Sequence, residues 1–137
     1  MKNELLFDTS IWIDFFLGNN SEEVKLLTHY LKENLPVFTC SVIIQEVLQG
    51  IRDDKTFEDV KDSFLALPIL TENPVDAAIG AALISRHLRK KGITIRKSND
   101  CLIAYYALKN SQKVVHRDRD FDLIFENIGS LYFLTGQ

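Results

Sequence analysis

The sequence lacks most of the features that define specialised small folds. Its 137 residues contain only two cysteines, Cys40 and Cys101, in unrelated contexts, so neither a disulfide framework nor a cysteine cage for a metal is available. A reducing, cytoplasmic setting is expected from that cysteine usage. The three prolines and six glycines form no linker, and no repeat or low-complexity tract divides the chain. A single domain spanning residues 1–137 is therefore expected, long enough to bury a core without staples. No apolar run approaches the ~20 residues that cross a bilayer. The opening Met1-Lys2-Asn3-Glu4 leads only into a brief apolar run, without the long apolar stretch or cleavage site of a secretory signal. Neither export nor membrane insertion is expected. Positive charge is not in excess either: the net charge of −3 excludes a basic body that binds nucleic acid by bulk electrostatics, though not an enzyme with a local basic strip.

What is present is a recurring alternation of short apolar runs and helix-like stretches. Leu5-Leu6-Phe7 reads as a strand, followed by a helix over Ser10 to Leu17. Ser21 reads as an N-cap, with Glu22 and Glu23 in the first turn and Val24, Leu27, Tyr30 and Leu31 at helical spacing. Pro36 to Thr39 is the next strand. Ser41 is placed to cap the helix carrying Val42, Ile43, Glu46, Val47 and Leu48, with Gly50 at its end. A helix over Asp54 to Leu67 precedes a short strand at Pro68 to Leu70. Pro74 suits the first turn of a long helix that runs to Lys91 and stops at Gly92. Ser98 to Lys109 is helical, and strands are expected at Lys113 to His116 and at Leu131 to Leu134. Apolar strands alternating with helices predict an α/β domain with a mainly parallel sheet covered on both faces.

Four acids occupy telling places in that scheme. Ligands of a parallel sheet bind beyond the C-terminal edge of its strands. Asp8 ends the first strand there, and Asp118 lies just past the Lys113 strand. Asp100 falls in the first turn of the helix that begins at Ser98. Glu46 interrupts an otherwise apolar helical segment, where a lone carboxylate is costly to bury. Singly, three of them have ordinary explanations: Asp8 as a helix cap, Asp100 as a favourable charge at a helix N-terminus, Asp118 as a turn residue. Together they suggest a pocket whose mutual repulsion would be relieved by hard divalent cations with oxygen ligands. The absence of a Cys/His ligand set disfavours zinc. Two such ions, Mg²⁺ for example, would orient and activate a water for attack on a phosphodiester.

The segments Leu5-Leu6-Phe7-Asp8-Thr9-Ser10, Ile43 to Gly50, Ser98 to Ala104 and Val114 to Asp122 resemble the PIN-domain nucleases. Within that family the likeness is greatest to the VapC-type toxins of toxin–antitoxin pairs, and it extends over essentially the whole chain. The resemblance implies a three-layer α/β/α sandwich and endonucleolytic, Mg²⁺- or Mn²⁺-dependent cleavage of RNA, transfer or ribosomal RNA being the usual targets. It also implies a homodimer inhibited by a small cognate antitoxin. By motif match Asp8, Glu46, Asp100 and Asp118 take the metal-binding catalytic positions, and Ser10 the hydroxyl position beside the first aspartate. His116 stands where the family usually has threonine or serine, which leaves open whether imidazole replaces that hydroxyl's hydrogen bond. The alternative is an inactive scaffold of the same fold that binds RNA or protein. Other phosphate chemistries fit worse. Position 10 is serine where a dehalogenase-type phosphatase needs a second aspartate, and Thr9-Ser10-Ile11-Trp12 has no glycine for a nucleotide-binding turn.

Weaker features remain. Arg86, Arg89, Lys90, Lys91, Arg96 and Lys97 form a strip without an acid, suited either to the RNA backbone or to a solvated helix end. Trp12, Phe15 and Phe16 stand at helical spacing, as core or as a surface for an antitoxin or second subunit. Asp14 reads as a helix-face charge. Asp120 and Asp122 read as turn and cap residues, with Asp120 also within reach of a second metal. His29 and His87 are placed on helix surfaces without a role.

Overall fold

The computed structural model describes residues 4–128. In chain order its elements are β1 (Leu5–Phe7), α1 (Thr9–Leu17), α2 (Glu22–Lys32), β2 (Val37–Cys40), α3 (Ser41–Gln49), α4 (Asp54–Leu65), β3 (Ile69–Leu70), α5 (Pro74–Lys90), α6 (Ser98–Lys109), β4 (Lys113–Val115) and α7 (Arg119–Ile128). They fall into two compact units. Among the described residues the first runs to Thr71 and adds Gln112–Arg117, and the second holds Glu72–Ser111 and residues 118–128.

The first unit is built on a four-stranded sheet in the order β3-β2-β1-β4, with every pairing parallel. Parallel neighbours need crossovers, which α1–α2 and α3–α4 supply. The central strand β1 is apolar throughout and buried at every residue, as expected for a strand covered on both faces. Leu6 pairs with Phe38 on one side and Val114 on the other. The pairing continues one step past β1, where the Asp8 N–H donates to the Val115 carbonyl at 2.9 Å. That bond sets Asp8 at the C-terminal edge of the sheet. Trp12 is buried in the core with its ring 4.9 Å from that of Phe64, whereas Ile13, Phe16 and Leu17 on the same helix are exposed.

Helix ends follow local chemistry. The Ser21 hydroxyl accepts from the Val24 N–H at 3.1 Å, as its position predicts. Asp53, not singled out from sequence, does the same for Thr56 at 2.9 Å. Ser41 does not cap α3. Strand β2 runs directly into the helix, so Ser41 is its first residue and Cys40 occupies the cap position without a side-chain bond. Gly50 ends α3 in a right-handed conformation, so glycine's freedom is not used there. The helix expected to reach Leu67 stops at Leu65.

The second unit consists of three helices among the described residues. α5 begins on Pro74, with Asn73 capping it through bonds from Val75 and Asp76, and Gly92 lies just beyond it at φ 79°. α6 is buried from Asp100 to Ala107 except at Leu102, the pattern of a helix surrounded by protein. α7 was not expected from sequence, where Asp120 and Asp122 read as turn and cap residues. They lie instead in its first turn, and Phe121, Ile124 and Ile128 bury one face at helical spacing. His87 is half-buried rather than superficial, its Nε2 3.0 Å from the Asn127 carbonyl oxygen. The strand expected at Leu131 to Leu134 lies outside the described residues.

Candidate active site

In the first unit, Asp8 and Glu46 are each held by a neighbouring hydroxyl. Asp8 sits at the N-cap position of α1, yet its side chain makes no capping bond. Its Oδ2 instead accepts from the Ser10 hydroxyl at 2.7 Å, the contact expected of that serine. Asp8 is buried, with 6% of its surface exposed. Burial holds its carboxyl above the usual carboxylate range. The Ser10 hydroxyl and the backbone N–H groups of Thr9 and Ser10 pull it back down, and the nearby negative charge of Glu46 pushes it up again. Glu46 is half-buried on α3, and its Oε1 accepts from the Thr9 hydroxyl at 2.6 Å. Sequence reasoning missed Thr9. The available signal was that Asp8 is followed by two hydroxyl residues, one for each carboxylate.

The raised Asp8 gives a stability prediction. The folded state holds this proton more tightly than the unfolded chain, so stability falls as pH climbs from the ordinary carboxylate range through the raised value. Asp8→Asn removes a buried charge while keeping an acceptor for Ser10. In a chelator at neutral pH the variant is expected to melt above the wild type. The difference should vanish in acid, where Asp8 is protonated in both states. A lower melting temperature at neutral pH would contradict this account.

In the second unit, three carboxylates gather. One oxygen each from Asp100, Asp118 and Asp120 lies within 4.8 Å of the other two. Asp100 and Asp120 are buried and Asp118 is half-buried. Asp100 enters from the first turn of α6, and Asp118 and Asp120 from the start of α7. Asp118 also serves the helix, its Oδ1 accepting from the Asp120 N–H at 2.9 Å. Two cations stand against the group. Arg96 places its Nη2 3.5 Å from Asp118 and its Nε 3.5 Å from Asp120, whose Oδ2 also accepts from the Arg96 N–H at 3.2 Å. The Lys97 ammonium lies 3.9 Å from Asp118. Oxygen donors this close to one another could hold a metal ion.

The basic strip is therefore divided. All six of its side chains are exposed, but Arg96 and Lys97 are paired with acids and the Lys91 ammonium donates to the Asn127 carbonyl at 2.9 Å. Arg86, Arg89 and Lys90 occupy the last turn or so of α5. His116, just past β4, lines a shallow groove of about 280 Å³ with Glu22, Glu23 and Leu26. Asp14 is more than a helix-face charge, since it pairs with Arg117 at 3.4 Å. The two cysteines are buried and unlinked, and burial pushes each thiol up to about 11, with Asp100 and Asp120 adding to the effect at Cys101. Neither is poised as a nucleophile.

Known proteins resemble the chain over most of its length. The PIN domain family model matches residues 5–125. VapC ribonuclease Mb1587 of Mycobacterium bovis and ribonuclease VapC11 of Mycobacterium tuberculosis are each 38% identical to it over 124 residues, covering 88% of this chain and 90% of theirs. Two crystal structures share its fold at lower identity. DNA-bound VapBC from Salmonella typhimurium matches with a TM-score of 0.68 at 22% identity, covering 94% of this chain and 95% of that one. VapBC2 from Rickettsia felis, bound to a DNA fragment from its promoter, matches with a TM-score of 0.67 at 19% identity, covering 88% and 92%.

Proposed function

This chain belongs to the PIN domain family, and we propose from that premise that it is a metal-dependent endoribonuclease of the VapC type, the toxin of a toxin–antitoxin pair. Asp8, Glu46, Asp100 and Asp118 are its metal-binding catalytic carboxylates. The observation that carries the reading is the gathering of Asp100, Asp118 and Asp120 oxygens within 4.8 Å, in a chain 38% identical to named ribonucleases. Asp120 stands beside them in the cluster and supports the metal site in this reading. The family match runs through both compact units and supports treating them as one nuclease domain.

One or two Mg²⁺ or Mn²⁺ ions, when bound, supply an activated water and stabilise the leaving oxygen of the phosphodiester. The chain's own residues prepare for this. The Ser10 hydroxyl fixes the rotamer of Asp8, and the Thr9 hydroxyl fixes that of Glu46, so neither acid has to be ordered when a cation arrives. The start of α7 sets Asp118 and Asp120 in a rigid relation through their mutual bond. Arg86, Arg89 and Lys90, the part of the strip on α5, bind the RNA backbone and offset its repulsion by an acidic protein.

The partners follow from the same reading. Solved structures of similar fold include VapBC2 and VapBC bound to DNA, and in this reading a small antitoxin inhibits the chain, which acts as a homodimer in the cytoplasm. Among the described residues no helix is long and apolar enough to cross a membrane. The exposed Ile13, Phe16 and Leu17 border an apolar groove of about 280 Å³ with Val47 and Ile51, a surface such a partner would cover.

The test is cleavage of transfer and ribosomal RNA by the purified protein, with the new ends sequenced. Cuts at restricted positions are expected with Mg²⁺ or Mn²⁺ and none in a chelator. No cleavage with either ion would favour the inactive-scaffold alternative.

A further inference from the structure

Arg96 stands apart from the other basic residues because of what it touches. Its guanidinium spans two acids of the cluster, with Nη2 3.5 Å from Asp118 Oδ1 and Nε 3.5 Å from Asp120 Oδ2. Three carboxylates with oxygens this close repel one another, and Arg96, seconded by Lys97 at 3.9 Å from Asp118, brings the nearest compensating charge. The attachment is a loose one. The Arg96 side chain is 74% exposed and its contacts are long, whereas its backbone N–H holds Asp120 Oδ2 at 3.2 Å whatever the side chain does. The guanidinium can therefore swing into solvent at small cost while the loop that carries it stays in place.

Building on the nuclease reading, we infer that Arg96 is an internal counter-cation that occupies the Asp118 and Asp120 carboxylates in the metal-free protein and is displaced when a divalent ion takes their oxygens. Metal binding is then an exchange of cations. The exchange weakens apparent affinity, because the ion must compete with a tethered positive charge, and it spares the empty cluster the full repulsion of three acids. Arg96 is thus a positioning residue that tunes when the site fills. Its guanidinium, once released, is a fork suited to a phosphate.

The experiment is calorimetric titration of the full chain with Mn²⁺, comparing the wild type with Arg96→Met and Arg96→Lys. Arg96→Met is expected to bind about three- to tenfold more tightly at low salt, with the gain shrinking as ionic strength rises. Its metal-free form should melt lower, and the rise in melting temperature on adding Mn²⁺ should be larger than in the wild type. Arg96→Lys should stay near the wild-type affinity. An Arg89→Gln/Lys90→Gln pair removes two charges from α5 and should change affinity less than the single change at Arg96. A variant that was merely damaged would bind metal more weakly, so tightening separates the two cases. Unchanged or weaker binding by Arg96→Met, alongside a wild type that binds, overturns the inference and leaves the nuclease reading standing. A wild type that binds no Mn²⁺ overturns both.

Discussion

Asp100→Asn and Asp118→Asn are each expected to lower RNA cleavage by about 10³-fold or more while leaving the far-ultraviolet circular dichroism unchanged. Each replaces an anionic oxygen with a neutral amide in a cluster of three donors that lie within 4.8 Å of one another. A hard cation depends on the charge of its ligands as well as on their position. Asp120→Asn should cost less, about 10- to 100-fold, the range for residues that support a metal site. Asp122→Asn is the control. It lies two residues further along the same helix but is exposed and outside the cluster, so its rate should stay within about twofold of the wild type. Combining Asp100→Asn with Asp8→Asn should give a rate close to that of the worse single variant, because residues that serve one step lose activity together rather than multiplicatively. Measured rates under saturating Mg²⁺ decide this. Losses of the same size at Asp122 and Asp100 would sink the assignment.

The largest expected effect on stability lies at Gly80. A Cβ built there would run into both Cδ1 and Cε1 of the Tyr105 ring, and Tyr105 is itself buried. The ring occupies the space where any other residue of α5 would place its Cβ. Alanine would gain about 0.5–1 kcal/mol of helix propensity, but forcing a methyl group into a packed contact costs about 1–3 kcal/mol. The clash wins, and Gly80→Ala should be less stable by about 1–2 kcal/mol. Gly80→Val adds a second branch and loses the propensity gain, so about 3 kcal/mol or more is expected, a large part of an ordinary domain's stability. Urea unfolding at equilibrium measures both, and a neutral valine variant would show that α5 and α6 can separate without cost.

Much of this architecture can be read before any coordinates exist, because the signals are local. Leu5-Leu6-Phe7 is an unbroken apolar run, and only a strand covered on both faces uses one. Ser21 and Pro74 mark helix starts through chemistry confined to a single turn. The errors fall where local signals compete. At residues 119–128 the acids of Arg119-Asp120-Phe121-Asp122 resemble a turn, and they mask the spacing of Phe121, Ile124 and Ile128 that makes α7 a helix. Ser41 has the right side chain for a cap but lies one residue too late, since β2 leaves no loop before α3.

The acids were legible as types at strand and helix ends. Their partners were not. The Thr9–Glu46 bond joins residues 37 positions apart, and its existence depends on how α1 and α3 pack. Arg96 looked like part of a continuous basic strip because sequence counts charges without saying which face a loop presents. Only the fold brings its guanidinium to Asp118 and Asp120.

The parallel pairing of β1 with β4 has a consequence for synthesis on the ribosome. Leu5 lies beside Lys113, so β1 is synthesised and then waits for a partner made more than a hundred residues later. Until Val115 has left the exit tunnel, the backbone of β1 presents an open hydrogen-bonding edge on that side, and Asp8 lacks the carbonyl that seats its N–H. Chains cut short before Lys113 are left with that adhesive edge, which makes them candidates for aggregation and for disposal by quality control.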